Sequence, residues 1–254
     1  MSVFLQEIHR GYAQGPDLLS QLARVLKEGG PGSPLVGAKV RRTFSYGASG
    51  GTTLLMPYIQ YHHDKAMLPD GRPPFDGYLV MVGQQPSNRP KGAVMVFLND
   101  ESGAFTRRVP PPNSDKPRFR YYEIPATGHS ISAPVETASA THSSVERSAT
   151  EEVLPSGIGG LTARGTQTEY EAYDKINAPI IWGIWANMYA WIEKGRSMPV
   201  APPIERDPSA PDGLGLGRDE HGNAKGGIRT PWVEVPEARY VARISKDKDR
   251  KSVV

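Results

Sequence analysis

The 254-residue chain carries 30 basic and 27 acidic side chains, a net charge of +3, and 38% of its residues are apolar. So even a mixture leaves no basic stripe for nucleic acid. The absence of cysteine excludes disulfides, thiolate metal sites and a cysteine nucleophile.

Glycine (27) and proline (24) exceed ordinary usage and are spread along the chain, which suits long ordered loops around a core. No window approaches the roughly 18 apolar residues of a membrane span. The opening MSVFLQEIHRGY lacks a signal-peptide pattern, and nothing specifies a compartment.

The clearest helix is GPDLLSQLARVLKEGG (15–30), with Leu18, Leu19, Leu22, Val25 and Leu26 on one face and Gly29 and Gly30 as its stop. KVRRTFSY (39–46) reads as a strand, followed by a glycine turn and a helical TTLLMPYIQYHH. Pro57 lies too deep in that helix to be tolerated without a kink or an early end. FDGYLVMVG (75–83) and KGAVMVFLND (91–100) are short continuous apolar runs, the pattern of strands buried on both faces of a parallel sheet. RFRYYEIPATGHS (118–130) is a further strand ending in a turn with His129.

Residues 131–170 are rich in Ser, Thr and Ala and read as loop. DKINAPIIWGIWANMYAWIEKG (174–195) is a second long helix whose Trp182, Trp185, Tyr189 and Trp191 suit a core, with Gly195 as C-cap. Beyond 196 an extended, Pro- and Gly-rich wrap is expected, ending in a frayed tail at 245–254. The whole, 1–254, reads as one α/β domain with a mostly parallel sheet.

Gly47-Ala48-Ser49-Gly50-Gly51 matches G-x-S-x-G, a common pattern in a glycine-rich chain. Its setting between strand and helix is what a nucleophile elbow needs. There Gly47 and Gly51 relieve crowding, Ser49 is exposed on a strained turn, and the Gly50 amide donates to an oxyanion. A serine nucleophile needs a base and an orienting carboxylate. Asp100 and Glu101 end one strand and His129 ends the next, which gives the order Ser, acid, His. His62, His63 and Asp64 could suggest a metal-dependent hydrolase, but neighbouring ligands diverge, and a solvated helix end is the simpler reading.

GRDEHGNAKGGIRTPWVEVPEARY (217–240) resembles the C-terminal signature of the alpha/beta hydrolase domain family, and the earlier blocks resemble it in the same order. The resemblance implies Ser49 as nucleophile, His129 as base and Glu101 as acid, with Asp100 in reserve. Gly50 departs from the glutamine usual after the family's nucleophile, and only some 40 residues precede the nucleophile strand. The chain therefore resembles the C-terminal half of such a protein, with an apolar sheet edge open to self-association.

The leading function is hydrolysis of a small carboxylic ester through an acyl-enzyme, with no metal or organic cofactor. The alternative is a catalytically inactive remnant serving as an interaction module. In GGIRTPW, Gly226 and Gly227 permit a tight path, Arg229 takes an internal carboxylate or, as the alternative, binds an anionic substrate, Pro231 fixes an extended exit and Trp232 anchors the segment.

Overall fold

The computed structural model describes residues 3–29, 33–83, 87–106, 109–127, 167–210 and 215–235. They fall into two compact units. One comprises Met1–Phe97, Asn113–Arg120 and Ala190–Ser197, the other Leu98–Pro112, Tyr121–Tyr189 and Met198–Val254. The expected frayed tail lies outside the described residues, as does most of the Ser/Thr loop.

Among the described residues five strands form one mostly parallel sheet in the order β1-β2-β3-β5-β4. They are β1 (Phe44–Ala48), β2 (Gly77–Met81), β3 (Val94–Asp100), β4 (Ser114–Asp115) and β5 (Arg118–Ile124). β1 and β2 run parallel, from Phe44 opposite Gly77 to Ala48 opposite Met81. The short β4 is antiparallel to β5. Every residue of β2 and β3 is buried, as their unbroken apolar runs imply. The α/β fold with a mostly parallel sheet is borne out. β1 starts later than the sequence suggests because Thr43 is tied to the turn before β2. Its amide donates to Asp76 Oδ2 at 2.9 Å, and its carbonyl accepts the Asp76 amide at 2.7 Å.

Helix α1 (Val3–Glu28) ends at Gly29, whose φ of +68° supplies the left-handed stop. Its buried face is not the leucine stripe. Leu18 is 61% exposed, Leu22 and Val25 are exposed too, and Pro16, Ala23 and Lys27 are buried instead. Two constraints rotate the helix this way. Gly15 lies against the Leu54 side chain, and an added Cβ would come within 2.2 Å of Leu54 Cδ1. Lys27 Nζ reaches Asp76 Oδ2 at 2.7 Å, with both side chains almost fully buried. Once buried, that ammonium must face its carboxylate, and its surroundings lower its pKa chiefly by desolvation.

The helical run after β1 begins as a single 3₁₀ turn (Ser49–Gly51) and becomes α2 (Thr52–Pro57). It continues as a π-helical turn (Tyr58–His62) and a 3₁₀ turn (His63–Ala66). The α geometry stops at Pro57, as expected for a residue without an amide hydrogen whose ring crowds the preceding turn. His63 is not at a solvated helix end. It is fully buried, with Nδ1 2.6 Å from Tyr78 Oη and Nε2 2.9 Å from the Lys91 carbonyl. Because a carbonyl only accepts, Nε2 carries the proton and Nδ1 accepts the Tyr78 hydroxyl. Both ring nitrogens are thus committed to the core, which corrects the solvated reading and removes His63 as a metal ligand.

Past β3 lies α3 (Glu101–Thr106), and the second long helix, α4 (Gln167–Lys194), ends at Gly195 with φ +66°. Ile181, Ile184, Met188 and Trp191 form its buried stripe, while Trp182 (63% exposed) and Tyr189 point outward. The aromatic cluster therefore contributes one buried tryptophan to the core, because 100° per residue carries Trp182 and Tyr189 to the opposite face. Trp191 packs under the Arg120 guanidinium, 4.3 Å from its ring.

Among the described residues no helix is long and apolar enough to cross a membrane. Removing Asp76 as Asp76→Ala strands the buried Lys27 charge and should cost about 3–5 kcal/mol in chemical unfolding. Arg24→Ala, which breaks an exposed pair with Glu28, should stay within about 0.5 kcal/mol; equal effects would refute the assignment.

His63 supplies a pH signature. Burial lowers its pKa below the ordinary 6.5, so the unfolded chain takes up a proton before the folded one. Its contribution to stability is complete above about pH 6.5 and is lost as pH falls toward the folded value, at up to about 1.4 kcal/mol per unit. Unfolding measured from pH 7.5 to 5.5 should fall more steeply for the wild type than for His63→Gln, and parallel slopes would exclude this role.

Candidate active site

Ser49 is the first residue after β1, in the 3₁₀ turn that leads into α2. The fold realises the strand-turn-helix arrangement because Gly47 has no side chain. A Cβ there would lie 2.9 Å from Leu55 Cδ2 and 3.1 Å from the Gly51 carbonyl oxygen. Gly51 itself has open space where its Cβ would be, so of the two flanking glycines only Gly47 is required by crowding. Gly50 is exposed.

The β1–β2 register pairs Ala48 with Met81, so Ser49 and Val82 leave adjacent strands at the same level. Val82 adopts φ +47°, a left-handed conformation that a β-branched residue enters only under strain. Gly83 follows it against the start of α2, where an added Cβ would be 2.6 Å from Thr52 Oγ1. Strain next to Ser49 was invisible in the sequence, since nothing in FDGYLVMVG sets one valine apart.

In the second unit β3 ends at Asp100 and α3 begins at Glu101, both fully buried. Asp100 Oδ1 accepts the Gly103 amide at 2.5 Å. Glu101 is ion-paired with Arg218, Oε1 to Nη1 at 2.7 Å, and its Oε2 accepts the Ala126 amide at 2.6 Å. The Glu101 amide in turn donates to the Thr127 carbonyl at 3.1 Å. The acid pair is thus joined to the turn after β5, where Ala126 is left-handed at φ +60°. His129, three residues after Ala126, lies outside the described residues. Of the expected site residues, the structure gathers Asp100, Glu101 and the turn leading to His129, while Ser49 and Gly50 belong to the other unit.

A second carboxylate is buried in the same unit. Glu123 of β5 binds Arg206 through two contacts, at 2.6 and 3.0 Å, and accepts the Ile204 amide at 2.7 Å and the Tyr121 hydroxyl. Arg206 and Arg218 both come from the C-terminal segment. It is folded on itself by antiparallel bridges from Ile204 to Gly226, Arg206 to Leu216 and Arg218 to Ala224. The expected wrap is therefore an ordered ribbon pinned by two buried Arg–Glu pairs. Sequence reasoning missed both arginines, because Arg218 and Glu101 are 117 residues apart.

The GGIRTPW segment completes the ribbon. Gly226 and Gly227 are left-handed, and a Cβ on Gly227 would sit 2.7 Å from the Glu123 carbonyl oxygen. Arg229 takes internal carboxylates, Asp219 and Glu234, each at 3.0 Å, and carbonyls of Ala224 and Val233. Pro231 starts a helical turn, α5 (Pro231–Glu234), instead of fixing an extended exit, because proline suits the first helical position. The Trp232 side chain lies outside the described residues. Among the described residues no three His, Asp or Glu side chains gather as a metal ion would require.

Comparison with known proteins gives a family model, described as an alpha/beta hydrolase domain, that matches residues 8–250. No curated protein and no solved structure matches the chain. The match runs through both units and takes in the turn at Ser49, the acid pair and the C-terminal ribbon: the chain belongs to the alpha/beta hydrolase domain family.

Proposed function

We propose that the protein is a serine hydrolase acting on a small carboxylic ester, with Ser49 as nucleophile and His129 as base. The observation that carries this reading is the placement of Ser49 in a tight turn between β1 and α2, closed by the contact of Gly47 with Leu55. Ser49 Oγ attacks the ester carbonyl as His129 takes its proton, and the Gly50 amide donates to the developing oxyanion. Collapse breaks the C–O bond, and His129 returns the proton to the departing alcohol. His129 then activates a water that releases the acid and regenerates Ser49. The sequence of steps needs no cofactor.

The acid is drawn from the pair at the end of β3. Glu101 is the choice by family resemblance. Its two oxygens, however, already hold Arg218 and the Ala126 amide, a duty that fixes the turn before His129. This favours Asp100 as the carboxylate that orients the imidazole and Glu101 as the residue that positions the turn.

A fluorophosphonate probe should label Ser49, and Ser49→Ala should abolish labelling and lower ester turnover roughly 10³-fold or more. In folded protein, Asp100→Asn should lower kcat more than Glu101→Gln, which should instead lower the melting temperature by loosening the Arg218 pair. The reverse ranking of kcat at equal stability returns the acid role to Glu101. Undiminished turnover in Ser49→Ala ends the hydrolase reading in favour of an inactive interaction module.

A second reading concerns partners. Among the described residues β1 is the outermost strand on its side of the sheet, and Leu18, Leu22 and Val25 of α1 are exposed. An outer strand of this kind invites pairing with another chain, and self-association through β1 follows. Sedimentation velocity should show concentration-dependent oligomers; a monomer at every concentration excludes it.

A further inference from the structure

A groove of about 470 Å³ opens in the first unit where β3 and β5 begin. Four cations line it, Arg89, Lys91, Lys116 and Arg118, against two carboxylates, Asp64 and Asp115. Neither carboxylate cancels the excess. Asp115 Oδ1 is salt-bridged at 2.6 Å to Arg120, itself a further cation. Asp64 Oδ1 accepts the Lys91 amide at 3.1 Å, and its side chain is largely exposed to water.

The Arg118 guanidinium is held in place by a group that carries no charge. Arg118 Nη2 donates to the Gly92 carbonyl at 2.7 Å, which satisfies one of five N–H donors and neutralises nothing. Arg89 lies over the Phe119 ring, 3.8 Å from its centre. Both are partly withdrawn from water, and desolvation lowers the pKa of each. For Arg118 the nearby Arg42 adds to that effect, and Asp76 offsets part of it. Positive charge is thus concentrated and partly desolvated in a concave surface, an arrangement that favours an entering anion.

We propose that this groove binds a small, multiply charged oxyanion, a phosphoryl or polycarboxylate group, between the guanidinium groups of Arg89 and Arg118 and the ammonium groups of Lys91 and Lys116. Planar guanidinium forks match the paired oxygens of phosphate and carboxylate, and the lysines add charge without demanding geometry. A neutral ester gains nothing from such a surface. The groove lies where β3 and β5 begin, whereas Ser49 and the acid pair lie where β1 and β3 end. The inference therefore stands apart from the hydrolase reading.

Isothermal titration of the full chain with sodium pyrophosphate, and separately with sodium citrate, tests it. Ionic strength is held constant with sodium chloride. Saturable binding of either probe is expected, and the probe that binds more tightly identifies the phosphoryl or the carboxylate source. Arg118→Gln should weaken binding about tenfold or more, the weight of one charge-assisted hydrogen bond. Should Arg118→Gln fail to fold, charge reversal at the exposed Lys116, Lys116→Glu, decides in its place, with a loss of affinity supporting the site. Heats no larger than those of chloride for both probes, or undiminished affinity in the folded variants, would overturn the proposal.

Discussion

The buried carboxylate of Glu101 is the constraint around which the second unit is built. An ionised group taken out of water costs several kcal/mol unless its partners replace the hydration it loses. Arg218 and the Ala126 amide replace it. To do so, the C-terminal ribbon must return to the end of β3, and the turn after β5 must close on the start of α3. Glu123 repeats the arrangement with Arg206 and the Ile204 amide. Between them the two pairs fix where the ribbon runs and leave it no freedom to slide. Such pairs are weak evidence for net stability, since apolar replacements of similar volume often do as well. Their effect is on position: each aligns one arginine with one strand end.

The first unit applies the same rule at the opposite ends of the strands. Asp76, at the entry to β2, gathers Lys27 from α1, Arg42 and the Thr43 amide. The requirement to bring Lys27 to Asp76 overrides the amphipathic pattern of α1 and leaves Leu18, Leu22 and Val25 exposed. At the exits of β1 and β2 the controlling factor is close approach, with Gly47 against Leu55 and Gly83 against Thr52. Backbone strain is found at strand exits as well, at Val82 after β2 and Ala126 after β5. Strained residues persist only where their surroundings over-determine them, and they gather at functional sites. Strand exits are also where α/β folds place their chemistry.

Much of this was legible in the residues. Continuous runs such as GYLVM and VMVFL announce buried parallel strands because burial on both faces favours apolar side chains at successive positions. Gly29 and Gly195 mark helix ends because only glycine enters the left-handed region without cost. Pro57 announces the break in the helix after Ser49 because it lacks an amide hydrogen. Each of these signals is local, and local signals survive in a linear sequence. The placement of Ser49 between strand and helix was readable for the same reason.

What only the tertiary structure decided involves charge pairing and helix rotation across long separations. No spacing rule connects Glu101 to Arg218 or Glu123 to Arg206, because a buried ion pair is chosen by three-dimensional proximity and the cost of leaving either charge alone. His63 looked like a solvated terminus until the fold placed Tyr78 and the Lys91 carbonyl on its two nitrogens. Trp182 and Trp191 have the same composition signal, yet the rotation of α4 buries one and exposes the other. The sequence by itself determined the two long helices, the strands β1, β2, β3 and β5, their order and the turn that carries Ser49, since each depends on neighbouring residues. Which face each helix buries and which arginine neutralises each buried carboxylate were decided by the tertiary structure, because those choices depend on groups that meet only once the chain has folded.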